Sequence, residues 1–308
     1  MEVLKTALPY IISGISVGGQ YALIAIGYTM VYGILRLINF AHGDVFMVAG
    51  LMMVYFATWM PLYIALPLVI IMTVVLGFVI ERVAYKPLRT APRMSVMISA
   101  IGVSYLIQNL ALYVTGGLNK NYPAIPWISD PVRLFGMETS RVTVITPFLT
   151  IALVIALVLL INHTKIGMAM RAVSVDFETA QLMGIKINNV ISATFIIGTF
   201  LAAIGSILFF TNFPGVVPTA GAMPGLKAFV AAVFGGIGSV PGAVVGAFII
   251  GICESVIKGL DTILMANGAI TEQVGFATFS DAFTFVLLIV ILVFKPTGLF
   301  GEKTTDKV

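Results

Sequence analysis

The sequence reads TPFLTIALVIALVLLI at residues 146–161, HTKIGMAMRAVSVDFETAQLMGIKINN at residues 163–189 and VISATFIIGTFLAAIGSILFF at residues 190–210. A helix needs about 20 apolar residues to cross a bilayer, and the two outer runs reach that length together with their neighbouring residues. The polar segment between them therefore connects two membrane-spanning helices. Long apolar runs joined by short polar connections decide the fold.

The rest of the chain repeats this pattern. Of 308 residues, 59% are hydrophobic and 10% are charged, whereas a soluble domain is usually about 25% charged. The apolar stretches are unbroken over helical lengths, unlike the short alternating segments of transmembrane strands. The sequence predicts an all-α integral membrane protein, a polytopic bundle of about 8–10 transmembrane helices forming a single domain over 1–308. The stretches lie at 7–35, 40–60, 62–80, 95–115, 142–162, 190–213, 226–257 and 282–295.

Glycine-rich sequence interrupts two of these stretches. Ser16-Val-Gly-Gly-Gln20 lies inside the first, and Gly235-Gly-Ile-Gly-Ser-Val-Pro241 lies inside 226–257, which is too long for one straight helix. We expect both to break a helix or to form a re-entrant hairpin. Backbone groups freed by a break must face water or protein. The second interruption therefore supplies four candidate residues for lining a path through the membrane: Gly235, Gly236, Gly238 and Ser239.

Basic residues predict which side of the bundle faces the cytoplasm. The segment 81–93 carries four basic residues in a short connection, which places it on the cytoplasmic side. Counting spans from there puts Arg36, the loop 163–190 and the tail 295–308 on the same side. That side then holds 11 of the 17 Lys and Arg residues.

The opposite side is expected to carry the loop 116–141 and the segment 258–281. Loop 116–141 is rich in Gly, Pro and other turn formers, and it is either a cap that receives a partner or a plain connector. Tyr122 and Trp127 are its expected membrane-interface anchors. The N-terminus also falls on this side, unless the first apolar stretch crosses twice.

One short helix is expected inside the loop 163–190. Asp176 is a good N-cap, Glu178 lies in the first turn where the helix dipole favours an acid, and Gly184 is placed to end the helix. Small or apolar residues at helical spacing predict one face that needs an apolar partner. A docking helix and an amphipathic connector on the bilayer surface are the two interpretations. The residues of this face are Val173, Phe177, Ala180 and Gly184.

Asn39-Phe-Ala-His-Gly-Asp44 is the densest polar group beside apolar sequence. Polar residues at bilayer depth are costly and often functional. We expect Asn39 to cap a helix, Gly43 to permit a close backbone approach, and His42 to pair with Asp44. The alternative is a capped turn at the membrane surface with no functional contact.

Further polar residues lie inside apolar stretches. Ser104 and Gln108 are one helical turn apart, which predicts a polar stripe facing the bundle interior or hydrogen bonds between helices. Lys227 and Glu254 are expected to extend towards the membrane surface. Gly242 and Gly246 are four residues apart and predict close packing of helices.

Composition excludes several classes of function. One cysteine, Cys253, rules out an intrachain disulfide, and two histidines, His42 and His163, do not indicate a histidine metal site. The glycine-rich segment is not a phosphate loop because no Lys-Ser/Thr follows it. The basic residues are scattered over loops, which does not indicate nucleic acid. No catalytic constellation is visible.

Six motifs, in family order, closely resemble the permease subunits of branched-chain amino acid ABC importers, in particular the Liv-type H permease family. The resemblance runs from about Gly14 to Gly298. The motifs are YALIAIGYTMVYGILRLINFAHGDVFMVAG at 21–50, ERVAYKPLR at 81–89, GMAMRAV at 167–173, MGI at 183–185, FGGIGSVPGAVVGAFIIG at 234–251 and KPTGLFG at 295–301.

The resemblance implies that the loop 163–190 docks into an ATPase. Importer permeases carry a Glu-Ala-Ala sequence followed four positions later by Gly, and Glu178-Thr-Ala180 with Gly184 resembles it. Thr179 replaces the middle alanine, and the Leu-Pro that many importers carry further along is absent. The implied ATPase-coupling residues are Arg171, Asp176, Phe177, Glu178, Ala180 and Gly184.

The resemblance also implies partners and a mechanism. The partners are a second, homologous permease subunit, two cytoplasmic ABC ATPase subunits that use ATP and Mg²⁺, and a periplasmic binding protein that delivers leucine, isoleucine or valine. This chain, in a bacterial inner membrane, is expected to be neither an enzyme nor a cofactor-binding protein. Alternating access would open the broken segments outward. The expected substrate path consists of Asn39, His42, Gly43, Asp44, Ser104, Gln108, Gly235, Gly236, Gly238 and Ser239.

Three alternatives remain open on the sequence. A urea or short-amide importer has permeases of related sequence. A stand-alone secondary transporter or channel is disfavoured because few intramembrane ionisable residues exist to couple an ion gradient. A purely structural membrane subunit would not need the broken glycine segments.

Overall fold

Helices account for most of the structure. A computed structural model describes residues 2–89, 91–134, 137–266, 270 and 272–301. The helix α3 continues into a π turn, Glu81–Tyr85, and a 3₁₀ turn, Lys86–Leu88. The helices are α1 Glu2–Leu35, α2 His42–Trp59, α3 Leu62–Ile80, α4 Arg93–Thr115, α5 Pro126–Ser129, α6 Arg141–His163, α7 Lys165–Val175, α8 Phe177–Leu182, α9 Ile187–Asn212, α10 Ala222–Gly235, α11 Val240–Lys258, α12 Leu260–Ala266 and α13 Ser280–Phe294.

The few strands in the described ranges are short and lie outside the bundle. Strand β1, Lys120–Asn121, pairs antiparallel with β4, Gly215–Val216. Strand β2, Pro131–Leu134, pairs antiparallel with β3, Met137–Ser140. These pairs satisfy backbone groups in the connections after α4 and α9, where no helix does so.

The predicted polytopic helical bundle is confirmed. Seven helices among the described residues are long and apolar enough to cross a membrane. Helix α2 also has 18 residues but carries His42, Asp44 and Thr58 and is not one of these seven, so the number found in the described ranges lies below the predicted number of about 8–10. Helix α10 has 14 residues, or about 21 Å, which is too short for a hydrocarbon core of about 30 Å.

Helix α1 is continuous, so the expected break at residues 16–20 is wrong. Two of its glycines pack against α11: a Cβ on Gly14 would lie 2.7 Å from the Ile252 Cα, and one on Gly18 would lie 2.8 Å from the Phe248 Cα. Small residues let two helix backbones approach closely in a membrane. The glycine-rich sequence therefore marks the central α1–α11 contact of the bundle.

Enlarging a glycine at this contact should destabilise the bundle. A Cβ on Gly251 would lie 2.3 Å from the Gly18 amide nitrogen. Replacing Gly251 by Leu forces the backbones apart, and we expect a loss of about 2 kcal/mol from overpacking. Thermal unfolding in detergent measures it. Gly102→Leu is the control, because a Cβ on Gly102 has no neighbour within 4 Å. Equal midpoints for the two variants would contradict the packing argument.

The second interruption does break the helix, as predicted. Gly236 (φ +109°) and Gly238 (φ +97°) adopt backbone conformations that favour glycine, and they turn the chain between α10 and α11. The two helices then pack closely at two glycines. A Cβ on Gly242 would lie 2.4 Å from the Gly235 carbonyl oxygen, and one on Gly246 would lie 2.4 Å from the Ala231 carbonyl oxygen.

The segments predicted to share the cytoplasmic side do lie together. The Tyr85 hydroxyl donates to the Asn39 Oδ1 (2.8 Å), Arg89 donates to Asn188, and the Leu299 amide donates to the Phe234 carbonyl (2.9 Å). The first two bonds join the segments 36–41, 81–89 and 163–189 to one another, and the third joins the segment 295–301 to the end of α10. We call this face the basic side. It consists of residues 36–41, 81–89, 163–189 and 295–301.

The loop 116–141 and the start of α1 lie at the opposite side. Helix α1 runs antiparallel to α9, since the Gln20 Nε2 donates to the Leu208 carbonyl (3.4 Å) and Gly198 packs on Gly27. The unbroken α1 crosses once, so the predicted N-terminal side agrees with this arrangement. In loop 116–141, Trp127 is exposed, but Tyr122 is buried with its ring centroid 5.9 Å from that of Phe210. Tyr122 is therefore a packing residue and not an interface anchor.

Candidate functional site

The short helix α8 forms where the sequence predicts it. Asp176 caps it, since its Oδ1 accepts from the amides of Glu178 (2.9 Å) and Thr179 (3.4 Å) and its Oδ2 accepts from the Thr179 hydroxyl (2.6 Å). This satisfies amides that have no partner inside the helix. The Asp176 side chain thus fixes the start of α8, directly after α7.

The end of α8 is a Schellman turn. The Ile185 amide donates to the Ala180 carbonyl (3.1 Å) and the Gly184 amide donates to the Gln181 carbonyl (3.0 Å). Gly184 has φ +83°, a conformation that side chains other than glycine rarely adopt. A Cβ there would meet no atom within 4 Å, so the requirement at Gly184 is conformational and not steric.

Helices α7 and α8 present two different faces. Val173 and Ala180 are buried and Phe177 is half-buried, so most of the predicted apolar face packs on the bundle itself. Gly184 is exposed and ends the helix. The three most exposed apolar side chains of this segment point outward. They are Val175, Leu182 and Met183, with exposed fractions of 87%, 86% and 79%. We call these three residues the outward patch.

Arg171 fixes α7 to the end of α6. Its Nη1 donates to the Ile161 carbonyl (2.5 Å) and to the Asn162 Oδ1 (3.1 Å), next to the last residue of α6, His163. A cation at a helix C-terminus satisfies free carbonyls and stabilises the dipole. The bonds made by Arg171 are thus internal, while Glu178 is exposed on α8.

A polar cluster joins α2 to α4. The Asp44 Oδ2 accepts from the Ser104 hydroxyl (2.5 Å), and the Asp44 Oδ1 accepts from the Gln108 Nε2 (3.0 Å). Asp44 is buried, whereas Ser104 and Gln108 are half-buried. The predicted stripe on α4 therefore faces inward, and its partner is Asp44. In the described ranges Asp44 has no salt bridge, so two neutral donors hold this buried acid.

Asn39 and His42 depart from their predicted contacts. The α2 N-cap is Ala41 without a side-chain bond, and Asn39 instead accepts from Tyr85. His42 does not pair with Asp44. Its buried ring hydrogen-bonds the Ile24 backbone and lies against Gly27, where a Cβ would be 2.1 Å from the His42 Nε2. Because Gly27 has no side chain, the His42 ring fits against α1 in the core.

Gly43 brings the starts of two helices together. A Cβ on Gly43 would lie 2.6 Å from the Gly221 carbonyl oxygen and 2.9 Å from the Gly225 Cα. The predicted close backbone approach is confirmed, and it joins the start of α2 to the start of α10. The sequence alone offered no signal for Gly221 and Gly225 as partners of Gly43.

The turn 235–239 lies apart from the Asp44 cluster, on the basic side. The Phe234 and Gly235 carbonyls accept from the amides of Leu299 and Phe300, both at 2.9 Å, and the Ser239 hydroxyl caps α11 by accepting from the Gly242 amide (3.2 Å). The chain's own segment 299–301 therefore satisfies carbonyls at this break. The role of Gly235, Gly236, Gly238 and Ser239 in a path stays a prediction.

The sequence that builds this structure matches the model of a known family. The family model described as "Branched-chain amino acid transport system / permease component" matches residues 10–292. The chain belongs to this permease family.

Relatives in the permease family span the whole chain. The permease protein LivH of the high-affinity branched-chain amino acid transport system of Escherichia coli K12 is 36% identical, with 98% of this chain and 97% of the relative covered. The corresponding protein BraD of Pseudomonas aeruginosa is 37% identical, with 98% of each covered. A probable branched-chain amino acid transport permease protein LivH of Methanocaldococcus jannaschii is 27% identical over 91% of this chain.

Sequence reasoning missed a buried charge cluster in this permease. Lys227 and Glu254 were expected to reach the membrane surface, and this is wrong. The Lys227 Nζ lies 2.7 Å from the Glu254 Oε1 and 2.6 Å from the Asp281 Oδ1, and the Tyr21 hydroxyl donates to the Glu254 Oε2 (3.0 Å). Lys258 also contacts Glu254 (2.5 Å). The sequence did contain a signal for this cluster: Lys227 and Glu254 carry opposite charges within one apolar stretch, 27 positions apart.

Proposed function

We propose that this chain is the membrane-spanning permease subunit of an ATP-driven importer that moves branched-chain amino acids into the cytoplasm. Its relatives along the whole chain are permease proteins of high-affinity branched-chain amino acid transport systems, which supports this substrate class over urea or short amides. ATP and Mg²⁺ are used by separate ATPase subunits, and this chain binds no cofactor.

The single observation that carries the proposal is the outward patch on the basic side. An exposed apolar patch beside a capped, rigid helix is typical of a protein interface. Helix α8 is held at both ends, by Asp176 and by the Gly184 turn, and the chain continues from this turn into α9 at Ile187. Two cytoplasmic ABC ATPase subunits are the proposed partners, one docking on α8, which we call the coupling helix.

Transport proceeds by alternating access. Closure of the ATPase subunits on ATP displaces the coupling helix and thereby the helices packed on it. The contact between α2 and α10 at Gly43 then opens outward and receives an amino acid from a periplasmic binding protein. A second, homologous permease subunit completes the complex in the bacterial inner membrane.

Reconstitution tests this function. The chain is co-expressed with the neighbouring gene products, purified without crosslinker and placed in liposomes, and uptake of labelled leucine is measured with and without ATP. We expect co-purification of a second permease and an ATPase, and uptake that needs ATP. Uptake of urea or acetamide instead of leucine would replace the substrate class. If the chain purifies alone and transports without ATP, it is a stand-alone channel or secondary transporter and not an importer subunit.

Asp44 is the proposed recognition group for the substrate's ammonium. The acid is buried, only neutral donors hold it, and a branched-chain amino acid carries one positive group. Charge-assisted hydrogen bonds contribute about 1.5–3 kcal/mol, so we expect Asp44→Asn to lower the initial uptake rate about tenfold or more. ATPase co-purification should be unchanged.

Asp130→Asn serves as the control for this substitution. Asp130 is a loop acid whose salt bridge with Arg141 (3.7 Å) is largely exposed. Its uptake should equal that of the unmodified chain. An Asp44→Asn complex that imports leucine at the full rate would remove Asp44 from the path.

A further inference from the structure

The end of α3 departs from α-helical geometry at the basic side. Residues Glu81–Tyr85 form a π turn, a rare conformation that is frequent at functional sites. It directs Glu81 and Tyr85 into the protein, while Arg82 between them stays exposed. The π turn therefore presents one buried acid and one buried phenol to the neighbouring helices.

Glu81 holds α3 and α9 together. Its Oε1 accepts from the Arg89 guanidinium, and its Oε2 accepts from the Ser192 hydroxyl (2.9 Å). Arg89 also donates to the Asn188 Oδ1. Since Ser192 and Asn188 are four residues apart on α9, both bonds reach one face of its first turns. We call Glu81, Arg89, Asn188 and Ser192 the α3–α9 cluster.

Breaking the α3–α9 cluster costs considerable free energy. Glu81 is fully buried and Arg89 is its one salt-bridge partner in the described ranges. A buried charge that loses its partner is strongly destabilising. The cluster therefore ties the end of α3 to the start of α9, and α9 begins directly after the coupling helix α8 and its Gly184 turn.

Tyr85 carries the connection on to α2. Its hydroxyl donates to the Asn39 Oδ1 (2.8 Å), both residues are buried, and its ring packs on Phe195 of α9 at 5.3 Å between centroids. The Asn39 carbonyl in turn accepts from the amide of His42 (3.0 Å), the first residue of α2. Asp44 lies in that same first turn.

We propose that the α3–α9 cluster and the Tyr85–Asn39 bond form a relay that transmits displacement of the coupling helix to the start of α2. The inference rests on the proposed importer function. Its residues are positioning residues, and they set when the Asp44 region changes shape during the ATP cycle. Two groups of polar contacts on the same π turn carry the proposal. Glu81 and Arg89 bond to Ser192 and Asn188 of α9, Tyr85 bonds to Asn39, and the π-turn backbone joins the two groups.

Tyr85→Phe tests the relay with the smallest change. It removes the hydroxyl and retains the ring that packs on Phe195. In the reconstituted complex, leucine uptake per ATP hydrolysed should fall about fivefold, the effect of one lost hydrogen bond between moving parts. Co-purification of the ATPase should be unchanged, and the unfolding midpoint should fall only by the effect of this one lost hydrogen bond, about 1 kcal/mol. A merely structural role of the hydroxyl would lower the midpoint and leave the ratio of uptake to ATP hydrolysed unchanged.

Tyr55→Phe is the matched control. The Tyr55 hydroxyl also donates a hydrogen bond, to the Val114 carbonyl (3.3 Å), at the far ends of α2 and α4. Its uptake per ATP should equal that of the unmodified chain. An unchanged ratio in Tyr85→Phe, with normal ATP-dependent uptake, overturns the relay alone. An unmodified complex without ATP-dependent uptake overturns the proposed function instead.

A double-mutant cycle extends the test to the charged pair. Glu81→Gln, Arg89→Gln and the double variant are compared for uptake per ATP. We expect each single variant to lose more than the double variant, because the double leaves no unpaired buried charge. Ser192→Ala provides the milder member of the set if a charge variant does not assemble. Strictly additive losses, together with an unchanged ratio in Ser192→Ala, contradict the relay.

Discussion

Replacing Gly184 by Arg is expected to abolish ATP-dependent uptake and to release the ATPase, while the permease still inserts and folds. Gly184 adopts φ +83°, and a side chain there would point into open space beside the outward patch. The substitution therefore imposes backbone strain of about 1–2 kcal/mol and places a bulky cation on the proposed docking surface. Co-purification and uptake measure both effects.

The substitution Gly184→Asn distinguishes the effect of backbone strain from the effect of a bulky, charged side chain. Asparagine tolerates the left-handed conformation, and the open space accommodates its side chain. This variant should retain the ATPase and most of the uptake. Glu178→Lys, on the exposed first turn of α8, should release the ATPase as Gly184→Arg does. Normal uptake in both Gly184→Arg and Glu178→Lys would remove the coupling role from α8.

Lys227→Met is expected to be the most destabilising of the charge substitutions at the buried cluster. The Lys227 side chain is 6% exposed and contacts two acids, Glu254 and Asp281. Removing it leaves the Glu254 carboxylate, itself 1% exposed, with fewer opposite charges, and breaking such a buried pair costs about 3 kcal/mol. The midpoint of thermal unfolding in detergent should fall accordingly.

Lys258→Met is the matched control, because Lys258 contacts the same acid but its side chain is 48% exposed. Exposed ion pairs contribute about 0–1 kcal/mol, so its midpoint should change little. Equal losses for the two lysine variants would show that burial does not determine the strength of this cluster.

Sequence reasoning predicted the features that depend on local chemistry. The apolar lengths predicted the spans, since a helix that crosses lipid must satisfy its backbone internally. The Asp176 cap and the Gly184 turn were predicted because their hydrogen bonds join residues close together in the chain. The family resemblance added the docking role of this loop, which remains a proposal for Arg171, Asp176, Phe177, Glu178, Ala180 and Gly184.

Contacts between distant helices could not be predicted in this way. The partners of Asp44 are 60 and 64 positions away, and those of Glu81 include Ser192 at 111. Periodicity states which face of a helix is polar but not which helix meets it. The pairing of His42 with Asp44 was wrong for this reason, since proximity in sequence did not make the two side chains converge.

The sequence by itself determined that this protein is a multi-pass helical membrane protein with a capped helix in a polar loop. Only the tertiary structure decided what each glycine-rich stretch does. Gly14 and Gly18 leave α1 unbroken because α11 packs against them, while Gly236 and Gly238 turn the chain. Both stretches are rich in glycine, and the physical difference lies in the neighbouring helix, which local sequence does not contain.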